Sequence, residues 1–211
     1  MKLQDILLVV IIALLLFLGF SVYQQMPDQE VPMHWNEFGQ VDGYGPAWTL
    51  LLIPVITGLI YLLFLVIPKI AVKKKNFQAS IEYYDQIKVI MVLLMSYLYL
   101  ITLLPLSGYN FNMSWAIFPA IAAMLFYFGL IMPRFKQNYF VGIRTPWALA
   151  DKRVWKKTQE RGGKVFMLMA VGIFLAGMLP EHFGPIFIVT LVGGLLYIFY
   201  YSYSVWRNFH R

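Results

Sequence analysis

Residues 6–23 read ILLVVIIALLLFLGFSVY, and this run decides the fold class. It holds no charged side chain and 14 Ile, Leu, Val and Phe residues, each of which favours membrane insertion by about 0.3–0.6 kcal/mol. A helix needs about 20 such residues to cross roughly 30 Å of hydrocarbon. The sequence therefore predicts six transmembrane helices, one here and five in similar runs at 49–67, 89–106, 115–132, 165–179 and 186–203.

Composition supports the same fold class. Of 211 residues, 60% are hydrophobic and 13% are charged, whereas soluble domains carry about 25% charged residues. The excess of apolar side chains must face lipid, so we expect an all-α integral membrane protein. The first run is longer than the core of a typical signal peptide and lacks a small-x-small cleavage site, which favours a retained span. The absence of cysteine excludes a disulfide framework, a thiolate metal site and a cysteine nucleophile.

The basic residues predict the orientation of these spans. All 17 Lys and Arg residues lie before the first span, in or beside the second and fourth connections, or after the sixth span. The other three connections contain none, although they hold five of the ten carboxylates. Because short cytoplasmic loops carry the excess of Lys and Arg, both termini are expected in the cytoplasm of a multi-pass cell-membrane protein. The net charge of +7 is explained by this pattern, and no motif indicates nucleic-acid binding.

The first connection, residues 24–48, is predicted to be a folded outer loop. Residues 31–35 read as an extended segment, and Asp42-Gly43 is typical of a turn. Recognition of an outside partner or structural packing is the favoured role. An alternative is a divalent metal shared by acidic and histidine side chains of two outer loops, although their spacing matches no established motif. Those residues are His34, Glu37, Asp42, Glu181 and His182.

The fourth connection, residues 133–164, is predicted to contain a helix lying in the cytoplasmic headgroup region, between the fourth and fifth spans. Thr145 and Pro146 suit a helix start, and Gly162-Gly163 suit a stop. Between these points an apolar and aromatic stripe faces away from a largely basic surface, a pattern typical of an interfacial helix. The stripe is Trp147, Val154, Trp155 and Thr158, and the basic residues are Lys152, Arg153, Lys156, Lys157 and Arg161. A docking surface for a cytoplasmic partner is compatible with this structure.

At these two loops the sequence resembles the SdpI family of bacterial membrane proteins. The outer loop is similar to the family's N-terminal membrane module, whose function is otherwise unknown, and this module is assigned to residues 1–75. The inner loop is similar to the C-terminal SdpI module, assigned to residues 76–211. The resemblance suggests recognition by an outer set of residues and a cytoplasmic motif. The first set is His34, Trp35, Asn36, Gly39, Asp42 and Gly43, and the second is Asn138, Gly142, Arg144, Thr145, Pro146, Trp147 and Trp155.

The resemblance implies a function and partners. Its best-known member protects a cell from a secreted killing-factor peptide and holds an autorepressor at the membrane when that toxin is present. We therefore expect immunity or resistance, with membrane lipids, an outside toxin peptide and a cytoplasmic repressor as partners. No cofactor, metal or catalytic residue is expected.

Two other classes of function remain open. A small transporter or efflux protein is compatible with the spans, although the predicted apolar runs hold no ionisable side chain for ion coupling. A membrane-surface enzyme would have to use His34 with Glu37, or His182 with Glu181, and neither pair belongs to a recognisable catalytic constellation.

Overall fold

A computed structural model describes residues 2–109 and 111–210. Six helical segments in it are long and apolar enough to cross a membrane, so the predicted number of spans is confirmed. Asn110, which the basic-residue pattern predicts to be outside, and the C-terminal Arg211, which it predicts to be inside, lie outside the described residues. The six segments are Leu3–Gln25, Ala47–Ile70, Ile81–Ser107, Met113–Arg134, Lys152–Met178 and Pro180–Phe209.

The regular elements follow the order of these spans. In chain order they are helix α1 (Leu3–Gln25), strands β1 (Glu30–Trp35) and β2 (Val41–Pro46), and helices α2 (Leu52–Ile70), α3 (Lys74–Gln78), α4 (Ile81–Leu103), α5 (Met113–Ile131), α6 (Pro146–Ala150), α7 (Lys152–Met178), α8 (Phe183–Ile188) and α9 (Gly194–Phe209). A π-helical turn, Val189–Gly193, joins α8 to α9. Short 3₁₀ turns extend the ends of several spans, at Ala47–Leu51, Leu104–Ser107, Met132–Arg134 and Pro180–His182.

The chain divides into two compact units, and the division cuts through helices α2, α4 and α5. The first unit comprises Met1–Leu65 with Lys88–Ile117, and the second comprises Val66–Ile87 with Phe118–Arg211.

The first unit contains two hydrophobic clusters at different levels of α1. One joins Leu8 and Ile12 to Tyr61 of α2 and Val92 of α4. The other lies beneath the strands and includes Val31, Ala47 and Leu50. Two polar side chains inside these helices are satisfied locally: the Thr57 and Ser96 hydroxyls each donate 2.7 Å hydrogen bonds to the carbonyl four residues earlier.

Helix α1 and helix α4 begin earlier than the apolar runs predicted, and this corrects one expectation. Asp5 lies in α1 and Lys88 lies in α4. Their side chains are buried and form an ion pair. The prediction that the spans hold no ionisable side chain is therefore wrong for the helices as they form. Hydropathy marks where apolar residues begin, whereas a helix extends to its cap and includes polar residues that find a partner.

The second unit is built around α7, which packs against α6, α8 and α9. Its main cluster contains Ile131, Met132, Phe135, Ala148 and Trp155. By contrast, large apolar side chains elsewhere in the unit remain exposed, among them Leu168 at 71% and Val189 at 72%. In a protein of six apolar spans, such side chains are the surface presented to lipid.

The predicted helix stop at Gly162-Gly163 is wrong. Helix α7 runs without interruption from Lys152 to Met178, so the predicted interfacial helix and the fifth span are one helix, preceded by the short α6. A Cβ on Gly163 would lie 2.5 Å from the carbonyl oxygen of Gly129, and a Cβ on Gly129 would lie 2.6 Å from the carbonyl oxygen of Gly163. These glycines allow two helices to approach closely, a use of glycine common between membrane helices.

Candidate functional site

The predicted outer loop is a two-stranded antiparallel hairpin in the first unit. Strands β1 and β2 pair with Val31 opposite Gly45 and His34 opposite Gly43. The extended segment predicted at residues 31–35 is confirmed, and it lies within β1. The predicted turn at Asp42-Gly43 is wrong, because both residues lie inside β2. The hairpin adds a small sheet to an otherwise helical protein.

Asn36 and Gly39 form the turn of this hairpin. The Asn36 side-chain oxygen accepts hydrogen bonds from the backbone N–H groups of Phe38 and Gln40, each at 3.0 Å. Gly39 has a φ of 74°, a left-handed conformation that glycine adopts without strain. An asparagine that bonds to the backbone two residues later is a frequent turn former. Two of the predicted recognition residues thus have a direct structural role.

The hairpin turn is anchored to the start of α5. The Asn112 side-chain amide donates to the Phe38 carbonyl at 2.9 Å, and the Ser114 hydroxyl donates to the Glu37 carbonyl at 3.0 Å. These two anchors were not predicted, since isolated Asn and Ser residues beside an apolar run give no distinctive pattern. They fix the position of the turn relative to the start of α5.

His34 and Asp42 form the most polar feature of the hairpin. The His34 ring Nδ1 and the Asp42 carboxylate are 2.5 Å apart, and both side chains are exposed, by 73% and 42%. Gly43 permits this close pairing, since a Cβ there would lie 2.9 Å from the Cβ of His34. The carboxylate partner of His34 is therefore Asp42, across the hairpin, and not the sequence neighbour Glu37 that the enzyme alternative requires.

A cavity of about 240 Å³ lies between the hairpin and helices of the first unit. Its lining is almost entirely apolar or aromatic. The hydroxyls of Thr49 and Thr102 already donate to backbone carbonyls, and the Tyr99 hydroxyl is buried away from the surface without a hydrogen-bond partner among the described residues. The cavity therefore suits an apolar side chain rather than a polar molecule. It is lined by Pro32, Met33, Trp35, Thr49, Leu50, Leu52, Ile53, Ile56, Tyr99 and Thr102.

The predicted cytoplasmic motif folds into a fixed loop in the second unit. Asn138 is buried, and its side-chain oxygen accepts 2.8 Å hydrogen bonds from the Phe140 and Val141 backbone. Gly142 has a φ of 98°, and a Cβ there would lie 2.7 Å from the Gln159 side-chain oxygen. Gln159 in turn bonds both backbone groups of Ile143, at 3.0 and 2.8 Å. The sequence did not single out Gln159, yet it fastens this loop to α7.

The remaining motif residues continue this structure into α6. Thr145 caps α6 by accepting a hydrogen bond from the Ala148 N–H at 3.2 Å, so the predicted helix start is confirmed. Pro146 occupies the first turn of α6. The Trp147 ring packs edge-on against Phe199, 4.9 Å away between centroids. The Trp155 indole donates to the Phe135 carbonyl at 2.8 Å.

Arg144 is the exposed charged residue of this motif. Its guanidinium donates a 2.7 Å hydrogen bond to the Tyr139 carbonyl, which folds the side chain back over its own loop. Among the described residues its other four N–H donors have no partner, so they remain for other contacts. The predicted cytoplasmic motif is thus mostly a structural unit, with Tyr139, Arg144 and Pro146 exposed at its surface.

The described residues offer no cluster of side chains that would support the alternative of a metal site. Within residues 2–109 and 111–210, no three or more His, Cys, Asp or Glu side chains are grouped closely enough to hold a metal ion. Glu181 and His182 lie in the 3₁₀ turn Pro180–His182, in the second unit.

Comparison with known proteins identifies relatives for both parts of the chain. Residues 134–204 match the family model described as the SdpI/YfhL protein family. Residues 10–58 match a domain of unknown function, DUF1648. The chain is 28% identical to the protein named Immunity protein SdpI from Bacillus subtilis (strain 168), over 97% of each chain. No solved structure matches the chain.

Proposed function

We propose that this chain, a member of the SdpI/YfhL protein family, is an immunity protein of the cell membrane that protects its cell from a secreted killing-factor peptide. The similarity to a protein named as an immunity protein extends over almost the whole of both chains. The proposed function is taken from that name. That name also favours a non-catalytic role. The six apolar spans place such a protein in the membrane, where a membrane-active peptide acts.

The hairpin is the proposed recognition element. Its conformation is held by the Asn36 turn and by the Asn112 and Ser114 anchors, so a partner would meet a preorganised surface at low entropic cost. That surface combines an exposed His34–Asp42 pair with an apolar cavity. An amphipathic peptide offers both kinds of group. The single observation that carries this assignment is that one anchored hairpin bears both the exposed His34–Asp42 pair and the Pro32, Met33 and Trp35 side chains that line the cavity.

The proposed orientation places this hairpin outside the cell. The hairpin lies in the first connection between spans, which contains no Lys or Arg. All 17 Lys and Arg residues lie near the two ends of the chain or in and beside the second and fourth connections, which are on the opposite side of the membrane. Both termini and the loop containing Arg144 would then face the cytoplasm.

A cytoplasmic repressor is the proposed second partner, with Arg144 as its contact. A planar guanidinium suits paired contacts with a carboxylate, and Arg144 is exposed on a rigid loop. In a cell that also produces the repressor, Arg144→Ala is expected to reduce repressor recruitment while membrane abundance stays normal. Arg207→Ala, which removes a charge from the end of α9, is the matched control. Loss of the protein from the membrane would instead make Arg144 a structural residue.

Expression in a peptide-sensitive cell tests the proposed function. Cells with the protein should survive doses of a secreted membrane-active peptide that kill cells carrying an empty vector. A small transporter would protect in the same way, so cell-associated peptide is measured in parallel. Sequestration at the hairpin predicts peptide retained at the membrane of surviving cells, whereas export predicts its loss from them.

A further inference from the structure

The second unit contains a basic cavity that neither the hairpin residues nor Arg144 line. It measures about 340 Å³, within the range of small-ligand sites. Three lysines stand around it: Lys136, from the stretch that follows the 3₁₀ turn after α5, and Lys152 and Lys156, one turn apart on α7. Within the described residues no carboxylate lines this cavity.

The floor of the cavity is rigid, and its polar atoms are already satisfied. Phe135 and Trp155 are buried there and joined by the indole hydrogen bond. Gln137, 6% exposed, accepts from the Lys73 ammonium at 2.8 Å and donates to the carbonyls of Ala148 and Leu149. The Asn76 amide donates to the Gln137 carbonyl at 2.9 Å. This scaffold orients the rim without itself needing a ligand.

The basic residues of α7 divide into two groups. Arg153 pairs with Asp151 at 2.7 Å and lies over the Phe209 ring. Lys157 also lies over Phe209, and Arg161 lies over Tyr201. Among the described residues, Lys136 and Lys152 show no such partner, and Lys156 has only a 3.9 Å approach to exposed Glu160. The lysines at the cavity therefore keep their charge for an outside anion, and Lys164, the remaining basic residue of α7, does not line this cavity.

The chemistry of these groups favours a phosphate oxygen. Lysine ammoniums are flexible point charges that bind phosphate, and an apolar aromatic floor suits the adjoining glycerol carbons. The level of the cavity favours a lipid source. The span Met113–Arg134 ends two residues before Lys136, and Lys152 and Lys156 lie in the charged first turns of α7, ahead of its apolar run. The rim therefore lies on the polar side of both apolar runs, where headgroups lie. Basic pockets between membrane helices bind anionic headgroups for the same reasons.

We infer that the cavity bounded by Lys136, Lys152 and Lys156 binds the phosphate headgroup of an anionic phospholipid. The bound lipid neutralises three neighbouring cations and ties the loop of residues 135–138 to the first turns of α7. The site does not depend on the immunity function.

Lipid selectivity of the purified full-length protein tests this inference. The protein is reconstituted with phosphatidylglycerol and phosphatidylcholine, and the lipid that remains bound is measured by native mass spectrometry. The wild type should prefer phosphatidylglycerol. Replacing Lys136, Lys152 and Lys156 by Gln should lower that preference about tenfold. Replacing Lys69, Lys74 and Lys75 by Gln removes the same charge from exposed positions outside the cavity. This control should keep most of the preference for phosphatidylglycerol.

Further measurements distinguish lipid binding from effects on folding and from the binding of other anions. The three lysines are exposed, so the Gln variants should melt as the wild type does, and replacement of the three by Arg should restore selectivity. Equal loss in the two Gln triples would overturn the inference, since general surface charge would then explain binding. Displacement of phosphatidylglycerol by inorganic phosphate would make free phosphate the occupant. Displacement by an acidic peptide would make the cavity a protein-docking site. Either result would overturn the lipid assignment.

Discussion

The ammonium nitrogen of Lys88 lies 2.6 Å from a carboxylate oxygen of Asp5, and both residues are buried, at 3% and 8% exposure. The pair joins α4 to the start of α1. The Tyr61 hydroxyl of α2 also reaches the Asp5 carbonyl, at 3.4 Å. Three helices of the first unit therefore meet at one buried charged site.

Removing one member of this pair should be strongly destabilising. Asp5→Leu or Lys88→Met removes the ion-pair partner of a buried charge, at a cost of about 3–5 kcal/mol. The double variant should lose much less than the sum of the single losses, because no charge remains. Unfolding by denaturant in detergent micelles measures all three. Additive losses would show that the two side chains do not depend on each other.

Close packing at Gly129 and Gly163 should tolerate no methyl group. Each added Cβ would meet the opposing carbonyl oxygen at 2.5–2.6 Å, and such overpacking costs about 1–3 kcal/mol. Gly193→Ala is the matched control, since nothing among the described residues lies within 4 Å of its added Cβ. Gly163→Ala should therefore lower the midpoint temperature of thermal unfolding, whereas Gly193→Ala should leave it nearly unchanged or raise it. Equal effects at the two sites would contradict the close helix contact.

Asp151 should make stability depend on acid pH. It caps α7, and hydrogen bonds from Arg153 lower its carboxyl pKa to about 2 from an ordinary value of 3.8. A lowered pKa means that the folded state favours the carboxylate, so this stabilisation is complete above the ordinary pKa and is lost as pH falls toward 2. Asp151→Ala should cost about 1 kcal/mol at neutral pH. Asp151→Asn should retain the cap but lose the acid dependence in that window, as followed by unfolding at several pH values.

The orientation of the spans can be measured with single cysteines, because the chain contains no Cys. Cysteines replacing Glu37 or Glu181 should react with a membrane-impermeant thiol reagent in intact cells. Cysteines replacing Lys74 or Lys152 should react only after the cells are opened. Reaction of Lys152→Cys from outside would invert the proposed topology.

The spans and the helix start at Thr145 were predictable because each depends on a local pattern. The hairpin turn was misplaced because Asp42-Gly43 and Asn36 to Gly39 both carry turn-forming residues, and only strand pairing selects between them. Gly162-Gly163 was misread since the same residues serve as helix stops or as close-packing sites, and the partner Gly129 lies 34 residues away. No sequence pattern marks Gln137 or Gln159, because their hydrogen bonds go to backbone groups that only the folded loop brings near.

Survival of peptide-sensitive cells expressing hairpin variants at matched abundance tests the central claim most directly. Wild type and Asp28→Ala, which removes an exposed carboxylate outside the cavity and the pair, should both protect against a secreted membrane-active peptide. His34→Ala combined with Trp35→Ala should raise sensitivity about tenfold or more, because the polar pair and an aromatic wall of the cavity are lost together. If the double variant protects as well as the wild type, or the wild type protects against none of several such peptides, recognition of a killing-factor peptide by this hairpin is contradicted.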